Sequence, residues 1–305
     1  INCNLCVVAC REVQVNDVIG MANRGSDSKV VFDFDDPMGD STCVTCGECV
    51  QACPTGALMP STVTSEDGKG DSADFDRKVD SVCQYCGVGC QLTYHVKDER
   101  IVYVDGRDGP ANQSRLCVKG RFGSDYIHHG DRITKPLIRL EGARKGIHND
   151  FDPAKPLTHF REASWEEALD FAANGFTKIR DTQGKKALAG FGSAKGSNEE
   201  AYLFQKLVRT GFGSNNVDHC TRLCHASSVM ALLEGLGSGA VSASFMQAKN
   251  ADVVVITGSN PSSNHPVAAT FFKQAAKNGT KIIVLDPRGH AMKKCASHMI
   301  QFQPG

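Results

Sequence analysis

Cysteine is concentrated in the first part of this chain, and its spacing constrains the fold more than any other feature. Eleven of the 14 cysteines in the 305 residues lie in three groups before residue 118. The groups are Cys3, Cys6 and Cys10; Cys43, Cys46, Cys49 and Cys53; and Cys83, Cys86, Cys90 and the more distant Cys117. A disulfide needs a defined Cα separation and direction, which most pairs within such short runs cannot satisfy. The spacing therefore predicts that these thiolates bind metal.

The second group predicts an iron–sulfur cluster. It has the spacing C-x2-C-x2-C-x3-C and is followed by Pro54, which is the pattern of bacterial ferredoxins. Structural zinc is the alternative, but zinc sites usually show two separated C-x2-C halves. The first group repeats the x2 and x3 gaps without a fourth cysteine, which would fall just before Ile1. The repeat predicts two clusters in residues 1–60 and a chain that starts inside a longer protein.

The ligand sets follow from the ferredoxin pattern, in which the fourth cysteine of each run binds the other cluster. We therefore expect one complete 4Fe–4S cluster and three corners of a second one. The first cluster would be held by Cys10, Cys43, Cys46 and Cys49, and the second by Cys3, Cys6 and Cys53.

The third group has a different spacing, C-x2-C-x3-C-x26-C, formed by Cys83, Cys86, Cys90 and Cys117. Zinc ribbons also use four cysteines with a long gap, so this spacing alone leaves zinc open. The two ferredoxin-type clusters upstream favour a third 4Fe–4S cluster, because electrons that enter them need a further centre to reach.

Charge and hydropathy argue against two classes of partner. Lys and Arg together number 34, as do Asp and Glu, so no net field favours nucleic acid or an anionic membrane. No apolar run approaches the roughly 18–20 residues that a membrane-spanning helix needs. So many metal-competent thiols suit a reducing compartment or the insertion of clusters before any export, and we expect a cytoplasmic protein.

We expect four segments along the chain. A ferredoxin-like α+β domain occupies residues 1–60, and a linker occupies 61–77, where the sequence is polar, acidic and contains glycine. A small cluster domain follows at 78–140, with hairpin strands at 91–96 and 100–104. The remainder, 141–305, is predicted to be an incomplete α/β domain.

The α/β prediction rests on alternating strand and helix patterns beyond Ser164, which indicate a doubly wound parallel sheet. Ser164 with Glu167 forms a candidate capping box, and Ser197 with Glu200 is predicted to cap the next helix. Strands are predicted at 187–191, 251–257, 281–285 and 299–302, with the second of these buried.

Two strand ends are candidate ligand sites, because ligands bind outside the carboxyl ends of strands in open α/β sheets. Gly258-Ser259-Asn260-Pro261 follows one strand, and Asp286-Pro287-Arg288 follows the next. Asp286 would accept hydrogen bonds from a base or ribose, and Arg288 would bind phosphate. The alternative is that these residues form an ordinary turn and a surface ion pair.

A glycine loop at residues 190–196 is a weaker candidate. Its spacing, G-x-G-x-x-x-G, is one residue longer than the dinucleotide fingerprint, and that fingerprint is weak by itself. Gly192, Ser193 and Asn198 are its candidate cofactor contacts. A tight strand-to-helix turn explains the loop at least as well.

Cys224 and His225 stand immediately before an apolar helical stripe. Cys224 is therefore expected at or just before a helix N-terminus, where the helix dipole and free N–H groups favour a thiolate. An inert core thiol is the alternative for Cys224, and it is the role that we expect for Cys220 and Cys295.

Several motifs in order resemble one family. They are the third cysteine group, Cys117-Val118-Lys119-Gly120, residues 215–225, Gly258-Ser259-Asn260-Pro261 with His265-Pro266, and Asp286-Pro287-Arg288. Together they resemble the large subunit of molybdenum- or tungsten-dependent formate dehydrogenases, which are bis-molybdopterin guanine dinucleotide oxidoreductases. The resemblance covers nearly the whole chain, and it implies that the family continues beyond Gly305. The ferredoxin-like segment is similar to that of NAD-linked members, whose partner is a flavin-containing, NAD-reducing iron–sulfur subunit.

The resemblance implies roles for individual residues. Cys224 matches the cysteine or selenocysteine that ligates the metal, and His225 matches the adjacent histidine that assists the oxidation of formate to CO2. Lys119 matches a lysine between the nearest of three 4Fe–4S clusters and a pterin. The loops that carry Gly258, Asn260, His265, Asp286 and Arg288 match the cradle of the guanine dinucleotide.

Two other functions remain open at this stage. Nitrate reductases of the same family also use a metal-ligating cysteine here, but they resemble Cys-Met rather than Cys-His, so residue 225 discriminates. A non-catalytic electron-transfer subunit of the complex I type keeps the fold without the metal cofactor. The presence of Cys224, His225 and Lys119 favours an enzyme over that subunit.

Overall fold

The computed structural model describes residues 2–64, 75–146 and 152–304. They fall into two compact units. We call residues 1–128 with 242–305 the cysteine-rich unit, and residues 129–241 the inserted unit. Residues 242–305, which the sequence places with 141–241 in one α/β domain, therefore form a compact unit with the cysteine groups. Most of the predicted linker, at 65–74, lies outside the described residues.

The regular elements of the described residues are short in the first third of the chain and longer afterwards. The strands are β1 (Ile19–Ala22), β2 (Lys29–Phe32), β3 (Arg77–Val82), β4 (Gln91–Lys97), β5 (Arg100–Gly106), β6 (Leu137–Arg139), β7 (Phe160–Glu162), β8 (Gly190–Gly192), β9 (Val217–His219), β10 (Val253–Thr257), β11 (Lys281–Leu285) and β12 (His298–Ile300). The α-helices are α1 (Leu5–Val8), α2 (Glu48–Ala52), α3 (Val118–Phe122), α4 (Trp165–Gln183), α5 (Asn198–Lys206), α6 (Thr221–Cys224), α7 (Ala226–Leu236), α8 (Pro261–Asn264) and α9 (Pro266–Lys277).

The first part of the cysteine-rich unit is built around its own thiols. Strands β1 and β2 form an antiparallel hairpin, and α1 and α2 carry Cys6 and Cys49, one from each of the first two cysteine groups. Val18 and Ile19 pack with Cys10 and Cys49 in a small core. Because the apolar surface available is small, cysteines that are predicted to bind a cluster make up part of this core.

The second part is a three-stranded antiparallel sheet in the order β3-β4-β5. The predicted hairpin at 91–96 and 100–104 is confirmed, with a register shift between His95 and Val96. Leu92 and Val104 of this sheet pack with Leu116 and with Val267 of α9. Helix α9 therefore closes the same core that surrounds the third cysteine group.

His95 on β4 gives this sheet a pH-dependent stability. Its side chain is buried, and its Nε2 lies 2.9 Å from an Asp105 oxygen, while Nδ1 has no hydrogen-bond partner among the described residues. Burial lowers the pKa of His95 below its ordinary value of 6.5, although Asp105 opposes the shift. Protonation would place a second N–H in the core without an acceptor, which disfavours the charged ring.

We expect this histidine to cost stability as the pH falls. The unfolded chain takes up the proton near pH 6.5 and the folded chain only below that value, so the loss begins below about pH 6.5 and is complete below the lowered folded pKa. Urea unfolding of wild type and His95→Gln at about pH 7.5 and about pH 5 measures it. The wild type should lose more unfolding free energy than the variant, whereas equal losses would contradict this role for His95.

The carboxyl-terminal part of this unit is a parallel sheet in the order β10-β11-β12. One face packs under α9, where Ile256, Ile282 and Val284 form a core with Met292. The other face is open, since Val253 and Val255 are 48% and 57% exposed. The prediction that residues 251–257 form a buried strand is therefore wrong. Alternate side chains of a strand point to opposite faces, and only one face of β10 is packed.

The predicted doubly wound sheet is not seen as one continuous sheet in the described residues. Parallel pairing occurs in the order β10-β11-β12 and, separately, between β8 and β9. The order β10-β11-β12 runs in one direction, so this sheet contains no point at which the strand order reverses. The predicted alternation of strands and helices is present in the structure. Such an alternation does not specify which strands pair.

Helices α4, α5 and α7 dominate the inserted unit. The Ser197–Glu200 capping box of α5 is complete. At α4, Ser164 Oγ accepts a hydrogen bond from the Glu167 N–H, but the Glu167 carboxylate pairs with an Arg161 guanidinium. The predicted capping box of α4 is therefore only half formed, because a cation competes for its carboxylate.

No helix in the parts of the chain that the structure describes combines the length and apolar character needed to cross a membrane.

Candidate functional site

Four cysteines from the first two groups line one pocket. They are Cys10 from the turn that continues α1, Cys43 and Cys46 from the loop before α2, and Cys49 on α2. Burial raises the pKa of Cys46 to about 12 and that of Cys49 to about 11, and the neighbouring Cys43 and Cys10 thiols add to the second shift. The structure thus brings together the four residues predicted to hold the complete cluster.

The remaining cysteines of these two groups approach one another separately. Burial is the main cause that raises the pKa of Cys6, and the thiols of Cys3 and Cys53 raise it further. Cys53 differs, because a hydrogen bond with the Thr55 hydroxyl and nearby backbone groups lowers its pKa to about 7. Residues 3, 6 and 53 are the predicted three corners of the second cluster.

The third cysteine group converges beneath the start of α9. Cys83, Cys86, Cys90 and Cys117 line one enclosed pocket with Lys119 and Pro266. Burial raises the pKa of Cys90 to about 12, and the thiols of Cys83, Cys86 and Cys117 contribute. A backbone hydrogen bond of 2.8 Å from Cys83 N to Cys90 O closes the loop that presents these sulfurs.

Each of the three cysteine sets offers only thiols to a metal group. Among the described residues, no three His, Cys, Asp or Glu side chains converge closely enough to hold one metal ion. In a 4Fe–4S cluster each thiolate binds a different iron atom, so the four sulfurs stand further apart than around one tetrahedral zinc ion. The chemistry of this all-thiolate donor set fits iron–sulfur clusters.

Lys119 extends from the third pocket toward the parallel sheet of the same unit. Its position two residues after Cys117 places it on α3, and its ammonium group donates a hydrogen bond of 3.2 Å to the Ser263 carbonyl. Ser263 lies in α8, which begins directly after Asn260 in the loop that follows β10. One lysine therefore spans the short gap between a cysteine pocket and a strand-end loop.

The two strand-end loops of the cysteine-rich unit lie side by side. The Gly258 N–H donates to the Leu285 carbonyl at 2.9 Å, which holds the end of β10 against the end of β11. Asp286 is buried, and its Oδ1 accepts a 2.8 Å hydrogen bond from the Arg288 N–H. The turn that the sequence left as an alternative is therefore present at Asp286.

Unsatisfied polar atoms mark this edge of the sheet. Asn260 Oδ1, Ser262 Oγ and His290 Nε2 are buried without a hydrogen-bond partner among the described residues. A buried polar atom without a partner is costly, so such a group commonly awaits a ligand or water. These three unpartnered atoms fit a polar cofactor that carries many hydrogen-bond donors and acceptors, such as a guanine dinucleotide. Sequence patterns had not singled out Ser262 and His290, since neither belongs to a spaced motif.

In the inserted unit, the glycine loop and the Cys224 segment follow two paired strands. Strands β8 and β9 are parallel, so their carboxyl ends meet at one edge. Gly192 and Ser193 line a pocket there with Asp218 and His219, whereas the lining does not include Asn198. A Cβ on Gly192 would stand 3.2 Å from the His219 ring, so glycine permits this close approach.

Cys224 and His225 are exposed at the junction of α6 and α7. Cys224 ends the four-residue helix α6, and His225 is the N-cap residue of α7. The Cys224 sulfur lies 3.7 Å from His225 Nε2, so a thiol and an imidazole share one small surface. Cys220 is also exposed, which makes the prediction of an inert core thiol wrong for it, whereas Cys295 is partly buried against the core under α9.

Three family models match consecutive parts of the chain. The model described as 4Fe-4S dicluster domain matches residues 1–57, and the molybdopterin oxidoreductase Fe4S4 domain matches 76–129. The model described as molybdopterin oxidoreductase matches residues 132–304, more than half of the chain. The chain is therefore an iron–sulfur protein that belongs to the molybdopterin oxidoreductase family, and 4Fe–4S clusters and a molybdopterin cofactor are the groups that this architecture indicates.

Curated relatives refine the comparison. The chain is 37% identical to "Probable oxidoreductase YjgC" of Bacillus subtilis and 35% identical to a "Putative formate dehydrogenase" of Staphylococcus haemolyticus. Each match covers 99% of this chain and 33% of the relative, so the chain spans about a third of their length. Among solved structures, acetylene hydratase from Pelobacter acetylenicus matches 72% of this chain and 28% of its own, with a TM-score of 0.58 and 23% identity. That likeness concerns the fold.

Proposed function

We propose that this chain is part of a formate dehydrogenase that oxidises formate to CO2 at a molybdenum or tungsten centre. The observation that carries the proposal is the Cys224–His225 pair, with sulfur and Nε2 3.7 Å apart at a helix junction. The printed name of the Staphylococcus haemolyticus relative supports the substrate. A methionine at residue 225 would have favoured a nitrate reductase instead.

The chain's residues fit a bound bis-molybdopterin guanine dinucleotide. That group supplies a metal able to accept the two electrons released when formate becomes CO2 and a proton. The soft Cys224 sulfur is a suitable ligand to the metal, and the His225 ring can take or hold a proton at Nε2. Asn260, Ser262 and Asp286 offer polar atoms to the dinucleotide at the strand ends.

Electrons would leave through the cysteine groups. Lys119 lies between the third cysteine pocket and the α8 loop, so its charge would stabilise electron density that passes from a pterin there to the cluster. The two ferredoxin-type sets would carry electrons onward to a flavin-containing subunit that reduces NAD in the cytoplasm. The match of residues 1–57 to a 4Fe-4S dicluster domain supports an electron-carrying role for this segment.

Metal and pterin analysis with an activity assay tests the proposal. The purified whole protein should contain molybdenum or tungsten with pterin, and iron for three 4Fe–4S clusters, and it should reduce a viologen dye when formate is added. Iron without pterin would show an electron-transfer subunit instead. Dye oxidation by nitrate together with no response to formate would assign a nitrate reductase.

A further inference from the structure

A buried ion pair joins the second and third cysteine groups. The Arg121 guanidinium Nη2 lies 2.8 Å from Glu48 Oε1, and the two side chains are 0% and 7% exposed. Glu48 stands between Cys46 and Cys49 at the start of α2, whereas Arg121 lies on α3, four residues after Cys117. Each partner is therefore embedded among cysteines of a different candidate cluster.

Both residues also make hydrogen bonds to the backbone near the cysteines, two through side chains and one through the Arg121 backbone N–H. Arg121 Nε donates to the Cys46 carbonyl at 2.7 Å, and the Arg121 backbone N–H donates to the Cys117 carbonyl at 3.0 Å. Glu48 Oε1 accepts a 2.8 Å hydrogen bond from Leu116 N–H, next to Cys117. One arginine thus connects two cysteines, one from each group, through hydrogen bonds to their own carbonyls.

The backbone of the second group is shaped to admit the arginine. Gly47 has φ of +73°, and a Cβ at this position would stand 2.1 Å from Arg121 Cδ. Any side chain there would meet both unfavourable backbone geometry and the arginine stem. Gln51 makes a second junction nearby, where its Oε1 accepts a 2.9 Å hydrogen bond from the Gly106 N–H.

Stability alone does not explain such a pair. The desolvation of two buried charges often cancels their attraction, so apolar residues of similar size can pack equally well or better. What a hydrogen-bonded ion pair adds is one defined geometry, because the planar guanidinium fixes the direction of each bond. This defined geometry fixes the distance between the two cysteine pockets.

We propose that Glu48 and Arg121 are positioning residues for electron transfer. They fix the distance between the cluster of Cys10, Cys43, Cys46 and Cys49 and the cluster of Cys83, Cys86, Cys90 and Cys117. They also supply a hydrogen-bonded route from the Cys46 carbonyl through Arg121 to the Cys117 carbonyl. The inference rests on the proposed function only in requiring that both pockets hold clusters.

Two conservative substitutions test the ion pair without removing either side chain. Glu48→Gln keeps an amide oxygen for the Leu116 N–H but removes the charge, and Arg121→Lys keeps the charge but cannot make the fork of bonds. The matched control is Arg77→Lys, because Arg77 makes an exposed pair with Glu99 in the same unit, with two 2.8 Å hydrogen bonds.

The readout is magnetic and needs no formate. In the dithionite-reduced whole protein, the spin–spin interaction between the two clusters in electron paramagnetic resonance should weaken in both variants. Stopped-flow electron transfer between the clusters should slow several-fold, with iron and sulfide content unchanged and with wild-type behaviour in Arg77→Lys. Unchanged spectra and rates in both variants, equal changes in the control, or loss of one cluster's iron would overturn the proposal. Because reduction by dithionite bypasses the active site, absence of formate oxidation in the wild type would reject the proposed function and leave this result intact.

Discussion

Cys224→Ala should abolish formate oxidation while all iron–sulfur clusters remain. A thiolate ligand has no replacement in an alanine side chain, so the metal would lose the protein's direct bond to it. The sulfur is exposed at the end of α6, so its removal should change folding stability by no more than about 0.5 kcal/mol. Formate-dependent dye reduction measures the loss, and dithionite-reduced spectra measure cluster retention.

The chain supplies its own control for this variant. Cys220 is four residues earlier, is also exposed, and likewise has a histidine neighbour, with its sulfur 3.8 Å from His219 Nδ1. Cys220→Ala should therefore keep wild-type activity. Cys224→Ser should fail like alanine, because a hydroxyl is a harder ligand that is seldom ionised near neutral pH. Near-normal turnover in Cys224→Ala would show that Cys224 is not a ligand of the catalytic metal.

Local patterns in the sequence predicted the parts of the structure that local interactions determine. The hairpin of β4 and β5 and the capping box of α5 join residues a few positions apart, so their patterns can be read directly. The cysteine sets join residues that are further apart, such as Cys10 with Cys43, and a known ligand spacing predicted them rather than local contact.

Contacts between distant residues could not be read in this way. Glu48 and Arg121 are 73 positions apart, and neither residue alone differs from an ordinary surface charge. The exposure of one face of β10 was missed because an all-apolar strand does not say which face finds a partner. The unpaired atoms of Ser262 and His290 likewise become visible only when the loops after β10 and β11 are placed together.

Cys224 matches the expected position at a helix N-terminus only in part. Cys224 does lie just before α7, as expected, but it also ends α6, so the first free N–H groups of α7 belong to residues after it. A sulfur–histidine contact does not single it out, because Cys220 lies 3.8 Å from His219 Nδ1 and Cys224 lies 3.7 Å from His225 Nε2. What distinguishes Cys224 from Cys220 is that the pair Cys224-His225 matches the family motif.

His225→Gln should lower turnover by about 10²–10⁴ if the imidazole moves a proton in the rate-limiting step. Glutamine keeps much of the volume and the capacity for hydrogen bonding, so binding of formate should change little and the loss should fall on kcat rather than KM. His225 is exposed at the start of α7, and its ring carries no structural hydrogen bond other than the contact with Cys224 among those that the described residues show.

Three measurements separate a proton-transfer role from a structural one. The variant should retain its molybdenum or tungsten and its clusters, its kcat should lose one ionisation from the pH profile, and its solvent deuterium effect should change. Cys220→Ala again serves as the unchanged reference on the same surface. An effect confined to KM, or a fall in metal content equal to the fall in turnover, would show that His225 holds the site together rather than moving a proton.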